Sequence, residues 1–206
     1  MFLAWPPSGM LRAITIDMII IISLIFFILT FCIALLWILV PALYGLPSVP
    51  TRPERIRKAL KLVNLQHDEV LYDLGAGDGR VLIIAAREFG AFPTGLEVGP
   101  VQCALIWLRI VSSGLSDRIK IRWGNFFKAD LKDADVVYLY ATSQEVLKLA
   151  PFLQQQMKAG SRLVSISADF PEWEPSTFDE RDLIFVYEMP PRPGNMMSYL
   201  LKKAKE

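Results

Sequence analysis

The stretch VLYDLGAGDGR at residues 70–80 decides the fold of this 206-residue chain. It begins with an apolar run that has the length and composition of a buried strand and holds Asp73 near its end. Gly75, Gly77 and Gly79 follow, and they lead into an apolar helical pattern. Glycine lets the backbone turn sharply and approach a ligand closely. A strand, a glycine loop and a helix in this order predict the first unit of a Rossmann-like sheet.

The glycine loop departs from the dinucleotide-binding pattern. Dinucleotide folds cradle a pyrophosphate with the spacing GxGxxG, but Arg80 stands at the third glycine position here. Asp78 also adds a carboxylate, which would repel a pyrophosphate and suits a cationic amino-acid ligand. S-adenosylmethionine has both an ammonium and a sulfonium group. The loop therefore favours S-adenosylmethionine over NAD as the cofactor.

Residues at the ends of the next two predicted strands extend this cofactor site. Glu97 ends the second strand, about 20 residues beyond the loop, where a carboxylate can accept hydrogen bonds from ribose hydroxyls. Asn125 and Phe126 follow the third strand. We expect Asn125 to hydrogen-bond an adenine edge and Phe126 to lie against the adenine face.

Strand and helix patterns alternate along the chain beyond residue 52. Predicted strands cover residues 69–74, 93–98, 118–123, 135–140 and 162–168, and predicted helices cover residues 53–63, 80–89, 100–113 and 144–157. This alternation predicts a parallel sheet with helices on both faces.

The C-terminal part of the chain has a different pattern. Residues 183–188 and 196–202 are predicted strands, and the segment between them, 189–195, holds three prolines and a glycine. A parallel crossover needs about a dozen or more residues, so we expect these two strands to pair antiparallel. The predicted fold is α/β: a Rossmann-like seven-strand sheet of the class I methyltransferase type with a C-terminal antiparallel hairpin, preceded by one transmembrane helix.

The N-terminal part is strongly apolar, and residues 18–40 contain no charged residue. A spanning helix needs about 20 apolar residues, whereas a signal peptide has an apolar core of about 7–15 residues and a small-residue cleavage site. The sequence favours the spanning helix. The predicted organisation is a tail at 1–17, a transmembrane helix at 18–43, a proline-rich linker at 44–52 and a catalytic domain at 53–206.

Basic residues predict the orientation of this helix. One arginine, Arg12, precedes it, whereas five lysines and arginines lie between residues 52 and 61. The positive-inside rule then places the N-terminus outside and the catalytic domain in the cytoplasm. Residues 1–17 lack the arginine-rich and serine-rich pattern of a transit peptide, so a prokaryotic plasma membrane is expected. The helix makes the lipid bilayer one expected partner.

Composition argues against two other classes of partner. The net charge is +1, so no overall positive field favours nucleic acid. The chain has two cysteines and one histidine, and their positions suggest neither a disulfide nor a metal site.

The chain resembles the protein-lysine methyltransferases that modify the ATP synthase c-subunit and the adenine nucleotide translocase, with their prokaryotic relatives. The shared segments are SVPT at 48–51, YDLGAGDGR at 72–80, GLE at 95–97 and FPEW at 170–173. The resemblance implies methyl transfer from S-adenosylmethionine to a lysine of a protein, which we expect in or near the membrane. The predicted cofactor-binding residues are Thr51, Asp73, Gly75, Ala76, Gly77, Asp78, Glu97, Asn125 and Phe126.

Methylation of lysine requires a neutral amine, and an apolar aromatic channel favours that form by desolvation. The candidate catalytic residues for such a channel follow the fourth and fifth strands: Tyr140, Thr142, Phe170 and Trp173. Packing at the sheet edge is the alternative role for the aromatic residues. Residues 140–143 read YATS and not Asn-Pro-Pro-Tyr, which argues against amino-methyltransferases of adenine or glutamine. Methylation of a membrane-dissolved lipid or quinone, and non-catalytic cofactor binding, are the alternative functions.

Overall fold

The computed structural model describes residues 8–43 and 51–204. Within the first range, side chains are described for residues 16–39 except Ile38. Part of the predicted tail, most of the predicted linker and three residues of the SVPT segment lie outside the described residues. The described chain forms a long helix, α1 (Ser8–Leu43), followed by a mixed sheet with helices on both faces.

Seven strands form the main sheet, and two short strands form a separate pair. The strands in chain order are β1 (Val70–Leu74), β2 (Phe92–Glu97), β3 (Lys120–Trp123), β4 (Val136–Tyr140), β5 (Arg162–Ile166), β6 (Trp173–Glu174), β7 (Thr177–Asp179), β8 (Ile184–Glu188) and β9 (Arg192–Pro193). The order in the main sheet is β3-β2-β1-β4-β5-β8-β7, and β6 pairs with β9. Strands β1 to β5 are parallel, whereas β8 is antiparallel to both β5 and β7.

Five further helices complete the fold: α2 (Pro53–Leu62), α3 (Arg80–Phe89), α4 (Pro100–Ser112), α5 (Ser143–Gln156) and α6 (Met196–Lys203). Side chains alternate between the faces of a strand. Accordingly, Leu71 and Tyr138 lie in a core cluster with α2 and α3, whereas Tyr72 and Leu139 lie in a cluster with α5. Helix α4 shares a third cluster with α3. Helices α2, α3 and α4 therefore cover one face of the sheet and α5 covers the other.

The seven-strand Rossmann-like sheet and its C-terminal antiparallel hairpin are confirmed, but one predicted strand of the hairpin is wrong. Residues 196–202 form helix α6, and β8 instead pairs with the short β7. Asn195 explains the helix, because its side chain accepts a hydrogen bond from Ser198 N at 3.0 Å and so caps the first turn. Lys202 then contacts Glu174 at 2.7 Å, which fixes α6 against β6.

Helix α1 begins at Ser8, so residues 8–17 of the predicted tail are helical. These residues contain no proline that would stop a helix. Within the described residues, one helix is long and apolar enough to cross a membrane. Its apolar segment is Ile16–Trp37, which has 22 residues and a mean hydropathy of 3.2, and none of this segment is buried. A signal sequence near an N-terminus also passes this test of length and composition.

Candidate active site

The glycine loop after β1 requires glycine for its backbone shape. Gly75, Gly77 and Gly79 have φ angles of +104°, +57° and +76°, which L side chains rarely adopt. The backbone N–H groups of Gly75 and Ala76 both donate to Leu96 O at 3.0 Å. The loop is therefore tied to β2 before it enters α3.

Glu97 joins the loops that follow β1 and β2. Its carboxylate accepts hydrogen bonds from Gly77 N at 2.9 Å and from Gly99 N at 3.0 Å. The side chain is buried in this position. A carboxylate has about four lone-pair sites, so these two bonds leave capacity for further donors such as ribose hydroxyls. The predicted role of Glu97 as a ribose ligand fits this geometry and stays a prediction.

Asp73 lies buried at the end of β1, close to two other carboxylates. Burial raises its pKa from the usual 3.8 to about 8, and the nearby charges of Glu97 and Asp78 add to the increase. A cation bound next to this buried carboxyl group would favour its ionised form and lower its pKa. The cluster therefore fits the ammonium and sulfonium of S-adenosylmethionine better than it fits a pyrophosphate.

Asp78 has a different partner from the one expected. The Arg80 side chain donates to both of its carboxylate oxygens, with Nε at 2.9 Å and 2.8 Å. Burial alone would raise the pKa of Asp78, but the hydrogen bonds and charge of Arg80, with the charge of Arg109, hold it below its usual value. Arg80 Nη1 also donates to Thr51 O at 2.9 Å. Thr51, Asp78 and Arg80 thus form one polar network beside the loop.

Asn125 and Phe126 have structural partners of their own. Asn125 Oδ1 accepts from Phe127 N at 2.9 Å and caps a short 3-10 turn, which leaves its amide NH2 able to donate. Phe126 is buried in the core cluster that contains α5, with its ring centroid 4.7 Å from that of Phe127. Their predicted contacts with adenine stay predictions, and for Phe126 little ring surface is exposed.

The four predicted channel residues do not lie together. Tyr140 lines a groove of about 680 Å³ with Thr51, Arg55 and Ser167. Phe170 and Trp173 line another groove, of about 440 Å³, against α5. Thr142 is the N-cap residue of α5, and both its backbone N–H and its hydroxyl lie within hydrogen-bonding distance of Glu145 Oε2, at 2.7 Å and 2.8 Å.

Phe170 and Trp173 form an aromatic stack inside the fold. Their rings are nearly parallel, with centroids 4.3 Å apart, and both contact Tyr187 edge-on. Phe170 is 1% exposed and Trp173 is 4% exposed. Most of their surface is therefore used in packing, which matches the alternative role described for them above.

Two residues that the sequence did not single out lie close to these groups. Tyr138 on β4 is opposite Asp73 in the β1–β4 register, and its hydroxyl is buried near Asp73 and Thr51. Burial and Asp73 raise the pKa of Tyr138. Asp169 follows β5, and burial raises its pKa although Tyr187 donates to it at 2.6 Å. Only the strand register could have revealed that Tyr138 lies beside Asp73.

Solved structures are similar to this arrangement of sheet, glycine loop and acidic residue. The crystal structure of an RNA methyltransferase from Salinibacter ruber, in complex with S-adenosyl-L-homocysteine, matches 71% of this chain and 97% of its own chain with a TM-score of 0.67 and 34% identity. A SAM-dependent methyltransferase from Thiobacillus denitrificans, also with S-adenosyl-L-homocysteine, shares the fold at 22% identity and a TM-score of 0.52, covering 64% of this chain and 54% of that one. The fold and site define an S-adenosylmethionine-dependent class I methyltransferase.

The chain belongs to the family described as the ANTKMT methyltransferase domain, whose model matches residues 73–177. Among curated relatives, the protein-lysine N-methyltransferase of Saccharolobus islandicus is 33% identical over 130 residues, which are 63% of this chain and 81% of that protein. The mouse lysine N-methyltransferase of the ATP synthase c-subunit is 26% identical over 155 residues, which are 72% of this chain and 60% of that protein. The resemblance described from the sequence motifs is confirmed.

Proposed function

We propose that this protein transfers a methyl group from S-adenosylmethionine to the ε-amine of a lysine in a protein that lies in or near a membrane. The observation that supports the lysine acceptor best is the 33% identity to the Saccharolobus lysine methyltransferase across most of that protein's length. When bound, S-adenosylmethionine supplies a methyl carbon activated by the sulfonium. The protein then has to bind the two reactants next to each other and to favour the neutral amine.

The groove beside Tyr140 is the proposed path of the acceptor lysine. It lies where β4 and β5 end, and it reaches Thr51, which is beside the glycine-loop network. Arg55 lies over the Tyr140 ring at 5.9 Å and donates to Ser167 Oγ at 2.8 Å. Glu54 and Asp182 also line the groove and attract an entering ammonium, whereas a second cation directly beside Arg55 is disfavoured. A lysine that comes next to Arg55 is therefore shifted towards its neutral form.

Helix α1 is the proposed membrane anchor. Its apolar segment Ile16–Trp37 has the length needed to cross a bilayer, and its described side chains are all exposed to the surroundings. The basic residues between 52 and 61 favour placing the catalytic domain on the cytoplasmic side of the membrane. The proposed membrane is a prokaryotic plasma membrane, because residues 1–17 lack the pattern of a transit peptide. Anchoring confines the enzyme to the layer that contains its substrate.

The acceptor class is tested with labelled cofactor. Purified full-length protein is incubated with S-adenosylmethionine tritiated on the methyl group and with membranes from a strain that lacks the enzyme. We expect the label in a protein band and, after hydrolysis, in methylated lysine. The Gly75→Val variant serves as the control without cofactor binding.

The other acceptors give different results in the same assay. Label in the solvent extract would indicate a lipid or quinone, and label in RNA would indicate an activity like that of the Salinibacter protein. Cofactor binding without any transfer would favour a non-catalytic role. Each of these three outcomes contradicts the lysine proposal.

Removal of the anchor tests its role in delivery. A variant that begins at Val49 should bind S-adenosylmethionine and methylate the detergent-solubilised substrate as the full-length protein does. It should be slower towards the embedded substrate, because confinement can contribute factors of about 10²–10⁴ in effective concentration. Equal rates of both proteins on embedded substrate would show that α1 does not serve substrate access.

A further inference from the structure

Helix α4 is apolar on both of its sides. Its sequence is PVQCALIWLRIVS, and Ile106 and Ile110 face the core cluster that it shares with α3. Ala104, Trp107, Leu108 and Val111 are exposed, and they follow the i, i+3, i+4, i+7 spacing of a single helix face. A surface helix normally has polar residues at these positions.

The exposed side chains of this face are large. Trp107 is 56% exposed, Leu108 is 55% exposed and Val111 is 47% exposed, and Leu105 extends the face at 48%. We call Leu105, Trp107, Leu108 and Val111 the outer face of α4. A contiguous apolar surface of this kind marks a site of contact with another molecule or with a membrane.

The end of α1 lies against the same helix. The carbonyl of Trp37 would normally accept from the backbone N–H four residues later, but that residue is Pro41, which has no N–H. Gln102 of α4 supplies the missing donor, with Nε2 at 3.3 Å from Trp37 O. Gln102 is 4% exposed and the hydrogen bond is partly buried, so it lies at the junction of the two helices.

Trp37 lies about two turns before the C-terminal end of α1, and the uncharged apolar sequence continues beyond it to Leu43. The contact with Gln102 therefore places α4 beside the C-terminal part of the apolar helix. Tryptophan is enriched at the interface between membrane and water, and Trp107 stands on the outer face of α4. An apolar helix face at such an interface enters the boundary between headgroups and acyl chains by about 5–10 Å.

We propose that the outer face of α4 rests in the interfacial layer of the bilayer, beside the exit of α1, and holds the catalytic domain in one orientation. This proposal rests on the proposed function of α1 as a transmembrane anchor. Lipid is the occupant because the face lies beside the C-terminal part of α1 and continues its apolar surface. Four side chains that are about half exposed are too few for the roughly 800 Å² per partner of a stable protein interface.

This contact would also set the position of the active site. Helix α4 begins directly after Gly99, whose N–H donates to Glu97 at 3.0 Å. On the buried side of α4, Ile106 packs against the glycine loop so closely that a Cβ at Gly79 would lie 2.9 Å from it. The cofactor loop is therefore attached to the element that contacts the membrane, at a fixed height above the bilayer.

The test uses an environment-sensitive fluorophore on the full-length protein in lipid nanodiscs. Leu108→Cys is labelled in a background in which Cys32 and Cys103 are replaced by alanine. Leu147→Cys is the matched control, because Leu147 is also apolar and is 62% exposed but lies on α5, on the opposite face of the sheet. Titration with S-adenosylmethionine shows that both labelled variants are folded.

We expect the label at position 108 to shift to shorter wavelengths, to lose most of its quenching by aqueous iodide and to be quenched by lipids that have a spin label near the headgroup. The label at position 147 should keep its iodide quenching and show no lipid quenching. Equal iodide quenching at the two positions would overturn the proposal. Protection at 108 that disappears on dilution to one protein per nanodisc would instead indicate a second copy of the chain, and it would also overturn it.

The native Cys32 separates this proposal from the proposed anchor. A label on Cys32, in a protein that retains only this cysteine, reports on a position inside the apolar segment. Lipid quenching at Cys32 with a water-exposed label at 108 would leave the anchor intact and reject the docking of α4. Iodide quenching at Cys32 would reject the transmembrane anchor itself.

Discussion

The edge of the sheet at the carboxyl ends of the parallel strands has two halves: a proposed cofactor half after β1 and β2, and a proposed acceptor half after β4 and β5. Different chemical groups form the two halves. After β1 and β2, backbone groups make the site: three glycines with positive φ angles, and two N–H groups that both donate to Glu97. After β4 and β5, side chains make it, and most of them also have a structural contact. Thr142 contacts Glu145 at the start of α5, and Phe170 stacks in the core. We therefore expect the proposed cofactor half to tolerate few substitutions for reasons of local geometry. In the proposed acceptor half, we expect stability and function to depend on the same residues.

The strongest test of the cofactor half is Gly75→Val. A branched side chain is strained at a φ of +104°, so the loop must change shape and S-adenosylmethionine binding should be lost. Gly114→Val is the matched control, because Gly114 also has a positive φ and open space around it but lies in the turn after α4. Calorimetric titration should show no binding for the first variant and near-normal affinity for the second. Normal affinity in Gly75→Val would remove the loop from the cofactor site.

In the acceptor half, the largest expected effect is on stability. Phe170→Ala should lower the free energy of unfolding by about 3–5 kcal/mol, because it removes a buried ring from the stack with Trp173. Phe127→Ala should cost less, because Phe127 is 41% exposed. Urea unfolding measures both variants. A small loss of stability in Phe170→Ala together with loss of methyl transfer would place Phe170 in the acceptor channel after all.

A smaller effect is expected from the carboxylates that accept backbone N–H groups. Glu97→Ala should weaken S-adenosylmethionine binding by about 1.5–3 kcal/mol, the usual contribution of a hydrogen bond to a charged group. Glu145→Ala is the counterpart in the acceptor half, since Glu145 accepts from Thr142 N at 2.7 Å. It should leave cofactor affinity unchanged. Equal affinity of the two variants in calorimetry would show that Glu97 supports the fold and not the cofactor.

Counted per pH unit, the smallest effect concerns the ionisation of Asp73. The pKa of Asp73 is about 8 in the folded protein and 3.8 ordinarily. Between pH 4 and pH 8, the folded protein without cofactor therefore keeps a proton on Asp73 that the unfolded chain loses. The free energy of unfolding should fall as the pH rises through this range. A bound cation favours the ionised carboxylate, so cofactor affinity should rise with pH by at most about tenfold per unit up to about pH 8. Calorimetry in buffers of different ionisation enthalpy should detect release of about one proton at pH 7. The variant Asp73→Asn should show no such release.

The sequence predicts the parts of the structure that depend on local signals, and it misses parts that depend on long-range pairing. The strand, loop and helix at 70–89 are predicted correctly because the glycines and the apolar periodicity are local signals. The sequence predicts a strand in place of helix α6, although Asn195 and Ser198 form a local cap, because the prolines before it suggest a hairpin. Strand β7 has three residues and exists through its pairing with β8, which no local pattern reveals. The position of Tyr138 beside Asp73 depends on strand register in the same way.

Arg80 has a consequence for how cofactor preference can evolve. It stands where dinucleotide-binding loops have their third glycine, and its side chain contacts both Asp78 and the backbone of Thr51. A single Arg80→Gly substitution would restore the dinucleotide spacing. It would also remove the main counter-charge of the Asp78 carboxylate and the hydrogen bond to the backbone of Thr51. We expect the protein with glycine at position 80 to bind either cofactor poorly. The arginine thus makes the choice of S-adenosylmethionine difficult to reverse by stepwise mutation.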